Sequence, residues 1–88
     1  PDRQRALYAE VHDRLQPGGV FMNLEHVASR TDALHDAFLD AIGTDDDPSN
    51  KLVDVATHLS WLDGIGFVDA DCFWKWRELA LLAAAKAH

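Results

Sequence analysis

Residues 15–21 read Leu-Gln-Pro-Gly-Gly-Val-Phe, and this stretch decides the fold of the chain. Pro17 has no backbone N–H group, so it cannot continue a helix that reaches it from the N-terminal side. Gly18 and Gly19 permit the backbone angles that reverse the chain. The nearly continuous apolar run at 20–24 is typical of a strand buried on both faces. The sequence therefore predicts a joint where a helix ends and a strand begins, which is half of a β-α-β unit.

Apolar residues at helical spacing lie on the N-terminal side of this joint. Leu7, Val11 and Leu15 are four residues apart and form one stripe. This spacing predicts a helix over about residues 2–15. An acidic residue near its start complements the positive end of the helix dipole.

Two further helices are predicted in the middle of the chain. The first begins at Ser29, has Asp32 as an acidic variant of a capping box, and ends at Gly43. The second covers about residues 51–63 and is closed by Gly64. Together with the first helix and the strand, they indicate an α/β fold.

The last third of the chain predicts a pair of strands. Between Phe67 and Trp76 the pattern alternates, which places Cys72 and Trp74 on one apolar face with Trp76. On that face Cys72 is expected to be a buried, inert thiol. Leu79–Ala85 is predicted as the second strand from its position, although its alanines suit a helix equally well.

Composition and charge restrict the partners of the chain. The 88 residues contain 15 acidic and 8 basic side chains, for a net charge of −7. The basic residues are scattered along the sequence, which excludes nucleic acid and anionic membrane surfaces as expected partners. Cys72 cannot form an internal disulfide, and no signal peptide or apolar membrane span is visible. We therefore expect a cytoplasmic protein.

Three stretches occur in the order of a known fold: Leu15–Gly19, His58–Phe67 and Asp71–Leu82. They resemble, in turn, the Leu-x-Pro-Gly-Gly turn, the helix E ending in Gly-Phe, and the terminal hairpin of class I S-adenosylmethionine-dependent methyltransferases. The hairpin is similar to that of a bacterial small-molecule subgroup. The resemblance implies the C-terminal portion of a Rossmann-like fold, in a three-layer fragment. Residues 1–88 would then be a single partial domain with a helical lid or insertion at 29–50.

The same resemblance implies methyl transfer from S-adenosylmethionine to a small-molecule acceptor. In that family a glycine-rich loop after strand 1 and an acidic residue at the end of strand 2 bind the cofactor, and both would precede Pro1. We therefore expect the chain alone to bind no cofactor and to be inactive by itself. The expected partner is a missing N-terminal half. The alternative is a stand-alone interaction or structural module that forms a homodimer through an open sheet edge.

Ionisable residues gather where the two strands at 20–25 and 67–76 are expected to end. If these strands point the same way, their carboxyl ends meet at one edge, where ligands of such sheets bind. His26 is the candidate catalytic residue, as a general base, because its ordinary pKa lies near neutrality. Alternatively, it is a strand-end histidine hydrogen-bonded to a loop. Glu25 is either a carboxylate of the acceptor pocket or a solvated charge.

Three residues at the end of the second strand complete the predicted acceptor pocket. Trp74 and Trp76 are placed to stack on an acceptor or a cation, or they are two aromatic residues of the core. Arg77 is a further pocket candidate. Alternatively, Arg77 and Glu78 pair with neighbouring residues around the turn, whose geometry is open because it lacks an Asn-Gly or Asp-Gly signature.

No metal site is predicted from the sequence. The five histidines do not pair at the spacing that zinc sites favour; they are His12, His26, His35, His58 and His88. The acidic segment Thr44–Asn50 lacks the alternating ligands and the distal glutamate of a calcium loop. It is expected to be a solvated loop.

Overall fold

The computed structural model describes residues 2–45 and 52–88. Three helices and three strands follow one another as α1 (Asp2–Arg14), β1 (Val20–His26), α2 (Asp32–Ile42), α3 (Val55–Ile65), β2 (Phe67–Trp76) and β3 (Leu79–Lys86). The predicted α/β class and the predicted order of helices and strands are confirmed. In the part of the chain that the structure describes, no helix is long and apolar enough to cross a membrane.

The joint between α1 and β1 is at the predicted position, and it is fastened to the last strand. Gly18 has a φ of 82°, a left-handed conformation that favours glycine. Its N–H group donates to the carbonyl of Lys86 at 2.8 Å. The N–H group of Lys86 donates in return to the carbonyl of Gly19 at 2.9 Å. The chain reversal thus hydrogen-bonds to the far end of β3.

β3 lies between β1 and β2 and is antiparallel to both. β1 and β2 therefore point in the same direction, as the site prediction required, although they do not pair with each other. Leu79 is the pairing partner of both His26 and Trp76. The carboxyl ends of β1 and β2 therefore meet at the start of β3.

One face of the sheet is covered by α1 and α3. Tyr8 and Leu62 from these helices form a buried cluster with Phe67 and Ala84 of the sheet. Leu7, which the predicted stripe placed inside, is exposed instead. Val11 and Leu15 of the predicted stripe pack against this cluster, and Tyr8 takes the buried position of the first turn in place of Leu7.

The opposite face of the sheet is open over most of β1. Val20, Met22 and Leu24 are 58%, 69% and 64% exposed. The prediction that residues 20–24 are buried on both faces is therefore wrong for the described chain, because these three side chains point away from α1 and α3. β1 is also an edge strand of the described sheet, with one edge unpaired. A third layer over this face remains a prediction.

The start of α2 differs from the prediction, and its end agrees with it. The N-cap residue is Thr31, whose hydroxyl accepts a hydrogen bond from the N–H group of Leu34 at 3.2 Å. Ser29 was expected to begin this helix but lies before it, because its hydroxyl bonds elsewhere. Gly43 ends the helix with a φ of 72°, as predicted.

α3 is displaced towards the C-terminus relative to its predicted range of 51–63. It begins at Val55, after Asp54, and residue 51 lies outside the described residues. Its C-cap is Gly66, with a φ of 117°, and Gly64 is a helical residue. The prediction that Gly64 closes the helix is wrong, because only the second glycine adopts the left-handed conformation.

Two register shifts interrupt β2, one around Asp69 and one between Cys72 and Trp74. Asp69 has a φ of 55°. Each shift adds a residue to β2, which moves the following side chains to the other face. Cys72 therefore packs against the covered core, whereas Trp74 pairs with a residue of the open face. The predicted single apolar face through Cys72, Trp74 and Trp76 is wrong.

Candidate functional site

A buried carboxylate, Glu78, connects the elements that meet at the carboxyl ends of β1 and β2. It follows β2 in the turn to β3, and its side chain is fully buried. Oε1 accepts a hydrogen bond from Nε2 of His26 at 2.8 Å. Oε2 accepts from the hydroxyl of Ser29 at 2.5 Å and from Nδ1 of His35 at 2.6 Å. The three donors lie on β1, on the connection after it, and on α2.

The surroundings of Glu78 decide its charge. Burial by itself would raise the pKa of Glu78, but hydrogen bonds from Ser29, His26 and His35 outweigh it and hold that pKa below its usual value. Glu78 is therefore ionised at neutral pH and can only accept hydrogen bonds. It follows that Nε2 of His26 and Nδ1 of His35 both carry a proton.

This contact defines the chemistry available to His26. With the proton on Nε2, neutral His26 has its lone pair on Nδ1. Nδ1 forms no hydrogen bond with a described residue, and the ring is partly exposed beside Phe38, with 5.5 Å between ring centroids. A carboxylate behind an imidazole holds it in one tautomer and one orientation. His26 can therefore take up a proton at Nδ1.

Trp76 and Arg77 lie at the same edge as His26. The ring of Trp76 contacts both neighbours. Its centroid is 6.0 Å from that of Phe38 on α2 and 5.4 Å from the guanidinium carbon of Arg77. Trp74 and Trp76 are 51% and 43% exposed, so the alternative that they are core residues is wrong. Trp74 lies on the open face, further from the edge.

Glu25 is not part of this group. Its Oε2 accepts from the amide of Asn23 at 2.7 Å and its Oε1 accepts from the amide of Gln4 at 3.2 Å. Successive residues of a strand point to opposite faces, so Glu25 faces α1 while His26 faces α2. The structure therefore separates the two adjacent residues that the sequence predicted to share a pocket.

Glu25 belongs to a second polar network, under α1. The amide of Asn23 also donates to the hydroxyl oxygen of Tyr8 at 3.3 Å, and that hydroxyl shares a hydrogen bond with Nδ1 of His58 at 2.8 Å. Burial, reinforced by the charge of Glu25, raises the pKa of Tyr8 to about 12. Burial also lowers the pKa of His58. Both partners are therefore neutral at physiological pH, which suits a structural network in the core.

Sequence reasoning missed the roles of Glu78, Ser29 and His35. Glu78 was considered only as a partner of neighbouring turn residues, and His35 only as a metal ligand. The one available signal is an isolated acidic residue followed by the apolar run of β3, because a charge beside a buried strand needs partners. Among the described residues, no group of three or more histidine, cysteine or acidic side chains is arranged to hold a metal ion.

The predicted lid is described only in part. α2 lies within residues 29–50 and contacts the site through Phe38 and His35. Residues 46–50, which include most of the predicted acidic loop, lie outside the described residues. The assignment of 29–50 as a lid remains a prediction.

The described residues do not fit an S-adenosylmethionine site of the kind that the resemblance implies. Such sites use a glycine-rich connection from a strand to a helix, whose N–H groups approach the ligand. Gly18 and Gly19 instead connect a helix to a strand. In the described chain, the connection from β1 to α2 covers residues 27–31 and contains no glycine.

Comparison with known proteins shows the fold. No protein-family model matches the chain, and no curated protein matches it. Among solved structures, the chain is similar to the S-adenosylmethionine-dependent methyltransferase SibL in its apo form, with a TM-score of 0.74 and 22% identity. The similarity covers 100% of this chain and 27% of the SibL chain. The chain therefore has a fold found in part of a methyltransferase, spanning about a quarter of its length.

Proposed function

We propose that this chain is the acceptor-pocket part of an S-adenosylmethionine-dependent methyltransferase that acts on a small molecule. The observation that carries the proposal is the similarity of the whole chain to 27% of the SibL chain, with a TM-score of 0.74. The gathering of His26, Glu78, Trp76 and Arg77 at one sheet edge supports it, because ligands of such sheets bind beyond the carboxyl ends of the strands.

In this proposal His26 accepts a proton from a hydroxyl or amine of the acceptor. Its Nδ1 lone pair faces away from Glu78, which acts as a positioning residue by holding Nε2–H. Trp76 offers an aromatic surface at the same edge, and α2 covers it through Phe38. The cofactor supplies the methyl group and is bound by the remainder of the fold, since the residues of this chain do not fit it.

The open face of the sheet supports association with that remainder. Exposed apolar side chains on this face include Val20, Met22 and Leu24 of β1, beside the unpaired edge of the same strand. Burying such a surface is favourable by about 25 cal/mol for each Å² of apolar area. The N-terminal half of a methyltransferase fold is the proposed occupant.

A second candidate function is favoured by the same open face. An interaction module that pairs with a second copy of itself would also cover the apolar side chains and the free edge of β1. The two candidates differ in stoichiometry and in cofactor binding. The first requires a distinct partner that binds S-adenosylmethionine, whereas the second requires only this chain.

The test compares the 88-residue chain with the protein encoded when the reading frame is extended upstream of the Pro1 codon. We expect calorimetry to detect micromolar S-adenosylmethionine binding by the longer protein and none by the 88 residues. In the longer protein, His26→Ala should retain cofactor binding and lose methyl transfer, whereas His88→Ala, at the exposed chain end, should retain both. Micromolar binding by the 88 residues alone would contradict the proposal.

A further inference from the structure

A small cavity beside the Glu78 cluster is lined mainly by cationic side chains. Its volume is about 90 Å³, and its lining residues are Ser29, Arg30, Leu34, Lys75 and Arg77. Three of the five are basic, in a chain with only 8 basic residues against 15 acidic ones. The fold therefore concentrates positive charge from two distant parts of the sequence at one point.

The three cations of this cavity have no carboxylate partner within residues 2–45 and 52–88. Among the residues that the structure describes, none of Arg30, Lys75 and Arg77 forms an ion pair. Lys75 donates through Nζ to the carbonyl oxygen of Arg77, and the Arg77 guanidinium lies over the Trp76 ring. Both are thus oriented by neutral groups, which leaves their charges uncompensated.

The nearby carboxylate of Glu78 does not pair with these cations. Both oxygens of Glu78 are already engaged by Ser29, His26 and His35. The lining of the cavity thus carries three cationic side chains and no acidic one. An anion that enters would therefore gain attraction to all three cations and reduce their mutual repulsion.

We propose that this cavity binds the carboxylate group of the small-molecule acceptor. A volume of about 90 Å³ is several times the roughly 10–15 Å³ that a single water molecule needs on the same measure, so the cavity has room for a carboxylate group. Arginine guanidinium groups match carboxylates in planar, paired hydrogen bonds. The acceptor class is therefore a small carboxylic acid, an assignment that rests on the proposed methyltransferase function.

The position of Ser29 links this cavity to the proton-accepting group. Ser29 lines the cavity and also donates to Oε2 of Glu78, whose other oxygen holds His26. An acceptor fixed by its carboxylate in the cavity would extend along the edge towards His26 and Trp76. Its reacting hydroxyl or amine would then lie apart from the carboxylate, on the side of the imidazole.

The test uses the 88-residue chain, labelled with nitrogen-15, at constant ionic strength. Benzoate is the probe, and benzamide is its neutral counterpart of nearly equal shape. We expect benzoate to shift the resonances of residues 29–34 and 75–77 in a saturable way and benzamide to leave them unchanged. Arg77→Gln should weaken benzoate binding by about tenfold, the usual value of a charge-assisted hydrogen bond. Arg14→Gln, which removes the same charge from the exposed face of α1, should leave it unchanged.

Three results would overturn the proposal. One is an equal response to benzoate and benzamide, and another is an equal loss of affinity in the Arg77 and Arg14 variants. The third is tighter binding of inorganic phosphate than of benzoate at the same residues, which would assign the cavity to a phosphorylated ligand. None of these involves S-adenosylmethionine. A failure of cofactor binding by the longer protein is therefore distinguishable from a failure of the anion site.

Discussion

The ionisation of Tyr8 offers a direct test of the network under α1. Its hydroxyl shares a hydrogen bond with Nδ1 of the fully buried His58 and accepts one from Asn23, and burial raises its pKa to about 12. Because the pKa of the folded state lies above the ordinary value of 10, the stabilisation is fully present below pH 10. It is lost as the pH rises through about 12.

The magnitude follows from the size of this shift. With a pKa of about 12 in the folded protein against 10 in the unfolded chain, ionisation of Tyr8 would cost the fold up to about 3 kcal/mol. Tyr8→Phe removes the hydroxyl and leaves His58 without a partner on either ring nitrogen, since Nε2 already has none among the described residues. We expect a loss of about 1–3 kcal/mol at neutral pH.

The assay is simple because Tyr8 is the single tyrosine of the chain. Tyrosinate absorbance titrates it without assignment, and chemical denaturation at a series of pH values gives the free energy of unfolding. We expect absorbance to rise near pH 12 rather than near pH 10. The stability difference between wild type and Tyr8→Phe should shrink over the same interval, because phenylalanine does not ionise.

Phe73→Tyr provides the matched control, since Phe73 is exposed. The added tyrosine should titrate near its ordinary pKa of 10 and give a second, earlier absorbance step. In the variant that combines Tyr8→Phe with Phe73→Tyr, only the early step should remain. A single step near pH 10 in the folded wild-type protein would refute the reasoning, as would a stability difference that does not change with pH.

Three further predictions concern stability and association. Gly64→Ala should stabilise the protein by about 0.5–1 kcal/mol, because the residue is helical and an added Cβ meets nothing within 4 Å. Gly43→Ala should destabilise it by about 1 kcal/mol, because alanine is strained at a φ of 72°. Thermal denaturation of both variants should show these opposite effects. Glu78→Gln should cost about 3 kcal/mol at neutral pH. Because the pKa of Glu78 in the folded protein lies below 4.5, its stabilising effect is present above that pH and is lost as the pH falls. The free energy of unfolding of the variant should therefore depend less steeply on pH in acid. The same pH dependence in both proteins would contradict an ionised Glu78 in the fold. If the open sheet face drives self-association, Leu24→Glu should yield monomers by light scattering, whereas Leu7→Glu, at a position of similar exposure on α1, should not. Equal behaviour of the two variants would exclude this face.

The sequence allowed prediction of the features that depend on local chemistry. Pro17 and the following glycines determine where α1 ends and β1 begins, whatever lies around them. The order of helices and strands follows from periodicity. The shared direction of β1 and β2 was an assumption, and it holds because both strands pair antiparallel with β3. His26, Trp76 and Arg77 were consequently placed at the same edge as the structure has them.

The remainder depends on long-range contacts that periodicity does not encode. The register shifts of β2 move Trp74 to the open face, and no glycine or proline in that strand predicts them. Glu78 became the centre of the site because Ser29 and His35, more than 40 positions away in sequence, converge on it. Glu25 and His26 belong to different networks because α1 contacts one face of β1 and α2 contacts the other. These outcomes are products of packing.

The pairing of β1 with β3 has a consequence for how the protein is made. Val20 pairs with Ala85 and His26 with Leu79, so β1 pairs with the described strand that is synthesised last. Until then β1 has no described neighbour, and its apolar side chains and both its edges are available to other chains. Folding must wait for a loop of more than 50 residues to close, which slows it relative to local contacts. Synthesis of β3 is therefore the step at which β1 either pairs with its described partner or associates with another chain.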